Sequence, residues 1–303
     1  MENTIANRIN EILPHYSIRN IAQISTKPGS SVYQIRLYSS TLGNHEIYAK
    51  KYGANCSSQI HEMMGLDENL LLLPRIIDYY EDENIVLSEG VKGITLTWTL
   101  LWNFLSQSRQ TLLVCSQKMG KAIGYLQNQT NRGTKRIGDL DVHIIREIES
   151  QSYFKKILKR DQLKDILNNI EDLKDIKTGV SQYHGDPSPH NIIMNDHQVH
   201  LLDYSFQDNA TFLDPSLYIV SLELMRHRLG LPMKKVLMRM ENSFMDEYSH
   251  MTKETYDRSI WSIIKTLTYL HFLLMYSCRE RTIPKTLVSA IDKRYLLKKI
   301  IIF

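Results

Sequence analysis

The hydrophobic and polar residues follow different periods in the two parts of the chain. Gly and Pro turn signals separate short apolar runs that are typical of strands, at residues 17–26, 31–39, 46–52, 75–80 and 84–88. A helix is predicted from about residue 57 to residue 73. From about Thr95 the apolar residues recur at helical spacing nearly to the end. The pattern predicts a strand-rich part followed by a helical part, with the change at residues 89–95.

Composition limits the class of protein. The chain has 303 residues, enough for two lobes with separate cores, and its 43% hydrophobic and 23% charged residues are near globular averages. It shows neither a signal peptide nor a long apolar run, and its three cysteines are widely spaced, so we expect a cytoplasmic protein with reduced thiols. The formal charge of +4 is modest, and we expect no nucleic-acid partner.

One segment carries the candidate chemistry. Residues 184–191 have the sequence His-Gly-Asp-Pro-Ser-Pro-His-Asn, and the prolines and glycine prevent regular structure there. Asp186 and Asn191 are therefore predicted to lie on a rigid loop. Two short apolar runs, residues 192–194 and 199–202, predict a hairpin that returns Asp203 to this loop.

Three oxygen-bearing side chains at one place suit phosphoryl transfer. That reaction needs divalent cations at the phosphate oxygens and a carboxylate to accept the hydroxyl proton, and Mg²⁺ needs few protein ligands. Ordinary turn residues are the alternative interpretation. However, the four fixed letters His-Gly-Asp and Asn at this spacing should arise by chance in only roughly two or three chains per thousand. We therefore favour a functional segment.

The segment resembles the catalytic loop and metal-binding strand of the aminoglycoside phosphotransferases and choline-kinase-like small-molecule kinases. The resemblance implies an α+β, bilobal, protein-kinase-like fold. Residues 1–92 would form an antiparallel-sheet, nucleotide-binding lobe, and residues 93–303 a mainly helical lobe with the catalytic loop and acceptor site. It implies Asp186 as the catalytic base, His184 beside it shaping the loop, and Asn191 and Asp203 as Mg²⁺ ligands.

The likeness extends beyond this segment on both sides. Residues 119–126 look like the family's helix before the catalytic loop, and Asp214-Pro215 looks like its acidic helix start. From the sequence alone, Asp214 is equally well explained as a helix N-cap with Pro215 at the first helical position.

The resemblance also implies ATP or GTP as the phosphate donor and a turn that covers its phosphates. Gly29, Ser30 and Ser31 lie in the turn between the first two strands, which has one glycine only. The phosphate-binding lysine is Lys50 or Lys51, and neighbours on a strand point to opposite faces. The family pattern favours Lys50, whereas the Ala-x-Lys pattern of protein kinases favours Lys51.

Two glutamates complete the implied nucleotide site. Glu62, on the helix after the lysine strand, is the expected partner of the lysine, with Glu68 as the second choice. Glu89 ends the strand that resembles the entry to the hinge, where backbone groups would bind the base.

The implied acceptor is a small-molecule alcohol bound by residues 139–176 and 216–303. Acidic and basic side chains in these ranges oppose one another, and the bases of the later helices favour a neutral or acidic alcohol over a polycation. The acids are Asp139, Asp141, Glu147 and Glu149, and the bases are Arg226, Arg228, Lys234, Lys235 and Arg239. The tail at residues 293–303 mixes bases and apolar residues, and we rank docking on the protein's own core above a membrane contact.

The predicted activity is transfer of the γ-phosphate of ATP or GTP to a hydroxyl of a small molecule. An atypical protein Ser/Thr kinase ranks lower, because Tyr204-Ser205 follow Asp203 and residues 203–214 are few for an activation loop. A catalytically inactive nucleotide-binding scaffold is the third alternative, which the glycine-poor turn favours.

Overall fold

The structure, a computed structural model, describes most of the chain. The described residues are 1–27, 30–53, 56–102, 109–140, 142–150, 154–156, 158–195, 198–253, 258–279 and 295–296.

The described residues up to Glu89 form an antiparallel sheet and three helices, and the first of these helices packs against the sheet. Its five strands have the order β1-β2-β3-β5-β4, and the predicted strands are confirmed. The elements are α1 (Glu2–Ile12), β1 (Ser17–Lys27), β2 (Ser30–Ser39), β3 (Gly43–Tyr52), α2 (Ser57–Met64), α3 (Glu68–Leu71), β4 (Ile76–Tyr80) and β5 (Ile85–Glu89). The single helix predicted at residues 57–73 is two helices, α2 and α3.

Helix α1 is not predicted by the sequence pattern, although Ile5 and Ile9 are four residues apart, which is a helical spacing. Both are buried against Ile35 and Ile47 of the sheet, which gives this face its own apolar core. Burial of such side chains stabilises the pairing by about 1.5–3 kcal/mol each.

The rest of the chain is mainly helical, as predicted. Two small three-stranded sheets, with the orders β10-β9-β6 and β11-β8-β7, interrupt the helices. The elements are β6 (Ile94–Thr95), α4 (Leu96–Trp102), α5 (Arg109–Gln129), β7 (Thr134–Arg136), α6 (His143–Ser150), α7 (Arg160–Lys174), β8 (Lys177–Tyr183), β9 (Ile192–Met194), β10 (Val199–Leu201), β11 (Gln207–Ala210), α8 (Leu213–Leu229), α9 (Leu231–Thr252) and α10 (Arg258–Arg279).

Helices α5 and α9 pack closely and run parallel. The Ser116 hydroxyl donates to the Met240 carbonyl at 2.6 Å, near the start of the pair. Further along, a Cβ at Gly120 would lie 2.3 Å from the Phe244 carbonyl oxygen, so only glycine permits this approach. At the far end the Asn128 amide reaches the Met251 carbonyl. The N-termini of both helices therefore lie at the same end of the molecule.

The predicted hairpin is confirmed and brings Asp203 to the catalytic segment. Strands β9 and β10 pair antiparallel, with Val199 opposite Met194. The Leu202 amide donates to the Asn191 carbonyl at 2.8 Å, next to Asp203.

Helices α2 and α3 contribute to the core of the helical half, and the lobe boundary between residues 92 and 93 stays a prediction. Among the described residues, no helix is long and apolar enough to cross a membrane.

Candidate active site

A cleft of about 360 Å³ lies between the five-stranded sheet and the β9-β10 hairpin. Apolar side chains form its roof and floor, Val32 and Val86 from the sheet and Ile193 and Leu201 from the hairpin. The predicted site residues that line it are Ser30, Lys50, Glu89, Asn191 and Asp203.

The predicted phosphate-covering turn is only partly described. Gly29 lies outside the described residues, and Ser30 lines the cleft as the first residue of β2. Ser31 lies opposite Lys51 in the strand pairing, and the alternation along β2 puts its side chain on the face away from the cleft.

The two candidate lysines point to opposite sides of β3. The Lys50 ammonium lies 2.5 Å from Asp203 Oδ1, donates to the Tyr204 carbonyl at 3.0 Å and lies 4.6 Å from the centre of the Tyr52 ring. The Lys51 ammonium lies 3.5 Å from Glu83 instead. The structure therefore places Lys50 in the cleft.

Glu62 makes contacts other than the one expected. Its carboxylate accepts hydrogen bonds from both terminal nitrogens of Arg132, one at 2.9 Å, and from the Gln182 amide at 2.6 Å. The Arg132 hydrogen bonds, opposed by burial and assisted by Gln182, lower the pKa of Glu62. The expected ion pair of Lys50 with Glu62 is replaced by that of Lys50 with Asp203. The side chain of the second choice, Glu68, lies outside the described residues.

Asp186 is held from two sides. The Ser188 hydroxyl donates to Asp186 Oδ1 at 2.5 Å, and His190 Nε2 lies 3.3 Å from Oδ2. Burial raises the pKa of Asp186, but the hydrogen bonds of His190 and Ser188 outweigh it and hold the pKa well below its usual range. The side chain is therefore a carboxylate at neutral pH, the form that can accept a proton.

His184 is fully buried and fixes the shape of this loop. Its Nε2 lies 2.7 Å from the Leu202 carbonyl, and its Nδ1 accepts the Asp186 backbone N–H at 3.1 Å. Burial lowers the pKa of His184 to about 4, so the ring is neutral and its Nε2 carries the proton. The ring thus joins the catalytic loop to the end of the hairpin.

Asp214 has a larger role than the N-cap alternative allowed. Helix α8 begins at Leu213, so Asp214 is inside its first turn and Pro215 is not the first helical residue. The buried Asp214 carboxylate accepts the backbone N–H of His184 at 2.6 Å and of Gly185 at 2.9 Å. Burial raises its pKa to about 6, against the effect of these two N–H groups. The N-cap interpretation is wrong, because the carboxylate binds the start of the 184–191 loop instead.

Gly185 and Asp203 both have left-handed backbones. Gly185 has φ +93° and would place a Cβ 3.1 Å from the Ser205 side chain, so this position requires glycine. Asp203 has φ 68°, a conformation that Asp tolerates better than most residues.

Asn191 and Asp203 offer hard oxygen donors to a cation. The Asn191 amide nitrogen donates to the Asp186 carbonyl at 2.8 Å, which leaves its amide oxygen as the available donor atom. Among the described residues, no group of three or more His, Cys, Asp and Glu side chains could hold a metal. A cation here would take two protein ligands and fill its shell with other oxygens, which suits Mg²⁺.

The charges expected around the acceptor are distributed differently. Arg226 pairs with Glu241 at 2.9 Å and lies 3.7 Å from Glu223, which also binds Lys265. These charges balance one another between α8, α9 and α10. Arg228 contacts the Met225 sulfur at 3.7 Å, and Lys234, Lys235 and Arg239 line a separate cavity. The basic residues that favoured a neutral or acidic acceptor therefore do not line the cleft.

The acids of the predicted acceptor region are only partly described. Asp139 is exposed, and Asp141 and the side chains of Glu147 and Glu149 lie outside the described residues. In the tail only Tyr295 and Leu296 are described. Leu296 is buried in the helical core and Tyr295 stacks on His227 at 4.2 Å, so this part of the tail docks on the protein itself.

Comparison with known proteins supports the fold. No family model and no curated protein matches the chain. A glucosamine kinase in complex with glucosamine, ADP and inorganic phosphate superposes with a TM-score of 0.65 at 12% identity, over 98% of this chain and 83% of that one. A choline kinase from Cryptosporidium parvum Iowa II gives 0.56 at 13%, over 99% and 95% of the two chains. A Plasmodium vivax ethanolamine kinase gives 0.53 at 8%, over 95% and 83%.

At these identities the likeness is one of fold. The chain has the α+β, bilobal fold of the small-molecule kinases over nearly its whole length. The fold implied by the catalytic segment is confirmed.

Proposed function

We propose that this protein is a small-molecule kinase that transfers the γ-phosphate of ATP or GTP to a hydroxyl group of a small alcohol. One observation carries the proposal. Lys50, Asn191 and Asp203 differ in chemical type, and Lys50 is far from the other two in the sequence, yet all three line the same cleft. The Asn191 side chain is also hydrogen-bonded to the backbone of Asp186. A cation, two oxygen donors and an ionised carboxylate are the groups that phosphoryl transfer requires.

Each residue has a defined part in the proposed reaction. Lys50 binds the phosphates of the nucleotide, and Ser30 lies at the turn that covers them. Glu89 and the residues after β5 border the base, and the apolar roof and floor exclude water from it. Asn191 and Asp203 would hold Mg²⁺, which would supply charge neutralisation at the phosphate oxygens.

Asp186 accepts the proton of the acceptor hydroxyl as that oxygen attacks the γ-phosphorus atom, the bond from this phosphorus to the β,γ-bridging oxygen breaks, and the nucleoside diphosphate leaves. Its depressed pKa keeps it ionised and ready for this step. Ser188 and His190 orient the carboxylate, and His184 and Asp214 fix the loop on which it lies. We place the boundary between the two lobes at residues 92 and 93.

The fold neighbours suggest where to begin with acceptors. Their names record glucosamine, choline and ethanolamine as substrates, all alcohols with an amino or ammonium group. The bases of the later helices do not line the cleft, so they give no reason to expect that a cationic acceptor would be repelled there. We therefore give amino alcohols and amino sugars the first place in the acceptor panel, beside neutral sugars and phosphorylated alcohols.

The test is nucleotide consumption by the purified protein with Mg²⁺ and either ATP or GTP over these matched panels. Once an acceptor is found, Asp186→Asn should lower turnover by about 10²–10⁴-fold and leave nucleotide affinity nearly unchanged. Asp175→Asn is the matched control, since the Asp175 side chain is 86% exposed. Turnover of Asp186→Asn within about threefold of wild type would remove Asp186 from the role of base. Nucleotide binding without transfer to any panel would favour the inactive scaffold.

A further inference from the structure

A second cavity, of about 700 Å³, lies at the N-terminal end of the parallel pair α5 and α9. Four of its described lining residues are cations, and none of the residues described in its walls lines the nucleotide cleft. The cations are Arg109, Lys234, Lys235 and Arg239. Apolar side chains, Leu113 and Met238 among them, complete the walls, and Met238 is 43% exposed.

The sequence around this cavity contains no acid to balance the cations. No Asp or Glu occurs between Glu89 and Asp139, a stretch that includes all of α4 and α5. None occurs between Glu223 and Glu241 either, which covers the first part of α9. Glu223 and Glu241 are themselves bound to Arg226 and Lys265. The acid nearest to these cations in the sequence, Glu241, two positions after Arg239, is thus already paired with Arg226.

A helix dipole adds to this charge. Arg109 is the first described residue of α5, and Lys234 and Lys235 are the fourth and fifth residues of α9. The N-terminal end of a helix carries a partial positive charge, so cations are unfavourable there and anions are favourable. The N-terminal end of α9 therefore adds its partial positive charge to the cations at this cavity. Such a conflict with local preference is expected where a site serves function.

We propose that this cavity binds a small, multiply charged anion of the phosphate-ester class. The two guanidinium groups match the paired oxygens of phosphate, and the two lysines add point charges. Leu113 and Met238 offer an apolar surface to the carbon part of such a ligand. The volume is in the range of small-molecule sites.

The cavity lies at the opposite end of α5 from the contact of this helix with β8. The other end of α5 leads to Thr130, whose hydroxyl accepts the Gln182 backbone N–H at 3.0 Å, just before the catalytic loop. Arg109 is about 30 Å from Thr130 along the helix axis. Anion binding at this cavity can therefore be measured whether or not the proposed activity is confirmed.

Two sources share this ligand chemistry, a soluble phosphorylated metabolite and the headgroup of an anionic lipid. The experiment uses the full chain and inorganic tripolyphosphate as the soluble probe, measured by calorimetry at two salt concentrations. Vesicles of phosphatidylcholine, with and without a phosphatidylinositol phosphate, are the lipid probe, measured by sedimentation. The test variant is Lys234→Gln/Lys235→Gln, and the control is Lys155→Gln/Lys164→Gln, which removes two exposed lysines elsewhere.

We expect the affinity for tripolyphosphate to fall by about tenfold or more in the test variant and to stay unchanged in the control. Wild-type affinity should fall with added salt. Without any anion, the test variant should unfold at a higher temperature than wild type, because repulsion at the helix ends is relieved. Its unfolding temperature should rise less on addition of the probe. Arg239→Gln is a second variant that should show the same loss of binding.

The vesicle arm distinguishes the sources. Sedimentation with the phosphoinositide vesicles alone, lost in the test variant and retained in the control, assigns a lipid headgroup, and tripolyphosphate binding without sedimentation assigns a soluble ligand. Equal loss in test and control variants, or no loss in the test variant and Arg239→Gln, would overturn the proposal. Tighter binding of longer single-stranded oligonucleotides would also overturn it in favour of nucleic acid.

Discussion

The buried carboxylate of Asp214 is the position where we expect a single substitution to affect both stability and turnover. It is fully buried and accepts two backbone hydrogen bonds, from His184 at 2.6 Å and from Gly185 at 2.9 Å. Alanine would leave two buried N–H groups without an acceptor. Asparagine would keep one acceptor and set an amide donor against the second N–H.

The expected magnitudes follow from these contacts. A hydrogen bond to a charged group contributes about 1.5–3 kcal/mol net. Losing both, Asp214→Ala should lower the free energy of unfolding by about 3–5 kcal/mol. Asp214→Asn removes the buried charge as well as one acceptor, so its loss should be smaller than that of Asp214→Ala. A domain is stable by only about 5–15 kcal/mol, so the loss in Asp214→Ala is large. Because the loop carries Asp186, a displacement of about 1 Å should also lower kcat by about 10²-fold.

Urea unfolding of wild type, Asp214→Asn and Asp214→Ala measures the first effect, with Asp175→Asn as the exposed control. Turnover of the same proteins with the identified acceptor measures the second. We expect the free energy of unfolding to fall in the order wild type, Asp214→Asn, Asp214→Ala. If Asp214→Ala unfolds within about 0.5 kcal/mol of wild type, the two hydrogen bonds do not hold the loop.

Three further predictions concern the cleft and its pH dependence. Lys50→Ala should weaken nucleotide binding by about tenfold or more, whereas Lys51→Ala should leave it nearly unchanged, and equal losses would contradict the assignment. Asp203→Ala should abolish the Mg²⁺ dependence of nucleotide binding, and a wild-type dependence would place the metal elsewhere. Between pH 6.5 and about 4 the unfolded chain protonates His184 before the folded protein does, which lowers stability as pH falls. From about pH 6 down to 3.8, the folded protein protonates Asp214 first, which raises stability. The acid loss of unfolding free energy should therefore be steeper in Asp214→Asn, and an unchanged slope would refute this coupling.

The parts of the site that the sequence predicted are encoded locally. The prolines and glycine of residues 184–191 define the loop, and the short apolar runs after it define the hairpin that returns Asp203. The choice between Lys50 and Lys51 combined the alternation of a strand with a family pattern. These signals depend on neighbours in the sequence, so no knowledge of the tertiary structure was needed.

The parts that it missed depend on contacts between distant residues. Glu62 binds Arg132 and Gln182, which follow it by 70 and 120 positions. Asp214 binds backbone groups about 30 positions before it. An acidic residue before a proline resembles an ordinary helix start, and one acid on a helix resembles a solvated surface residue. Only the tertiary structure shows which acids have buried partners.

The ion pair of Lys50 with Asp203 gives these charges a physical role before any nucleotide binds. Their side chains are only 17% and 30% exposed, and an unpaired charge at such depth is costly. Each therefore serves as the partner of the other. In the proposed complex the nucleotide phosphates would take the place of Asp203 beside Lys50, and Mg²⁺ would take the place of Lys50 beside Asp203. Phosphates without the metal would instead face the Asp203 carboxylate and be repelled. Nucleotide binding should therefore depend strongly on Mg²⁺. The cause is the same pair, Lys50 and Asp203, whose charges neutralise each other when no ligand is bound.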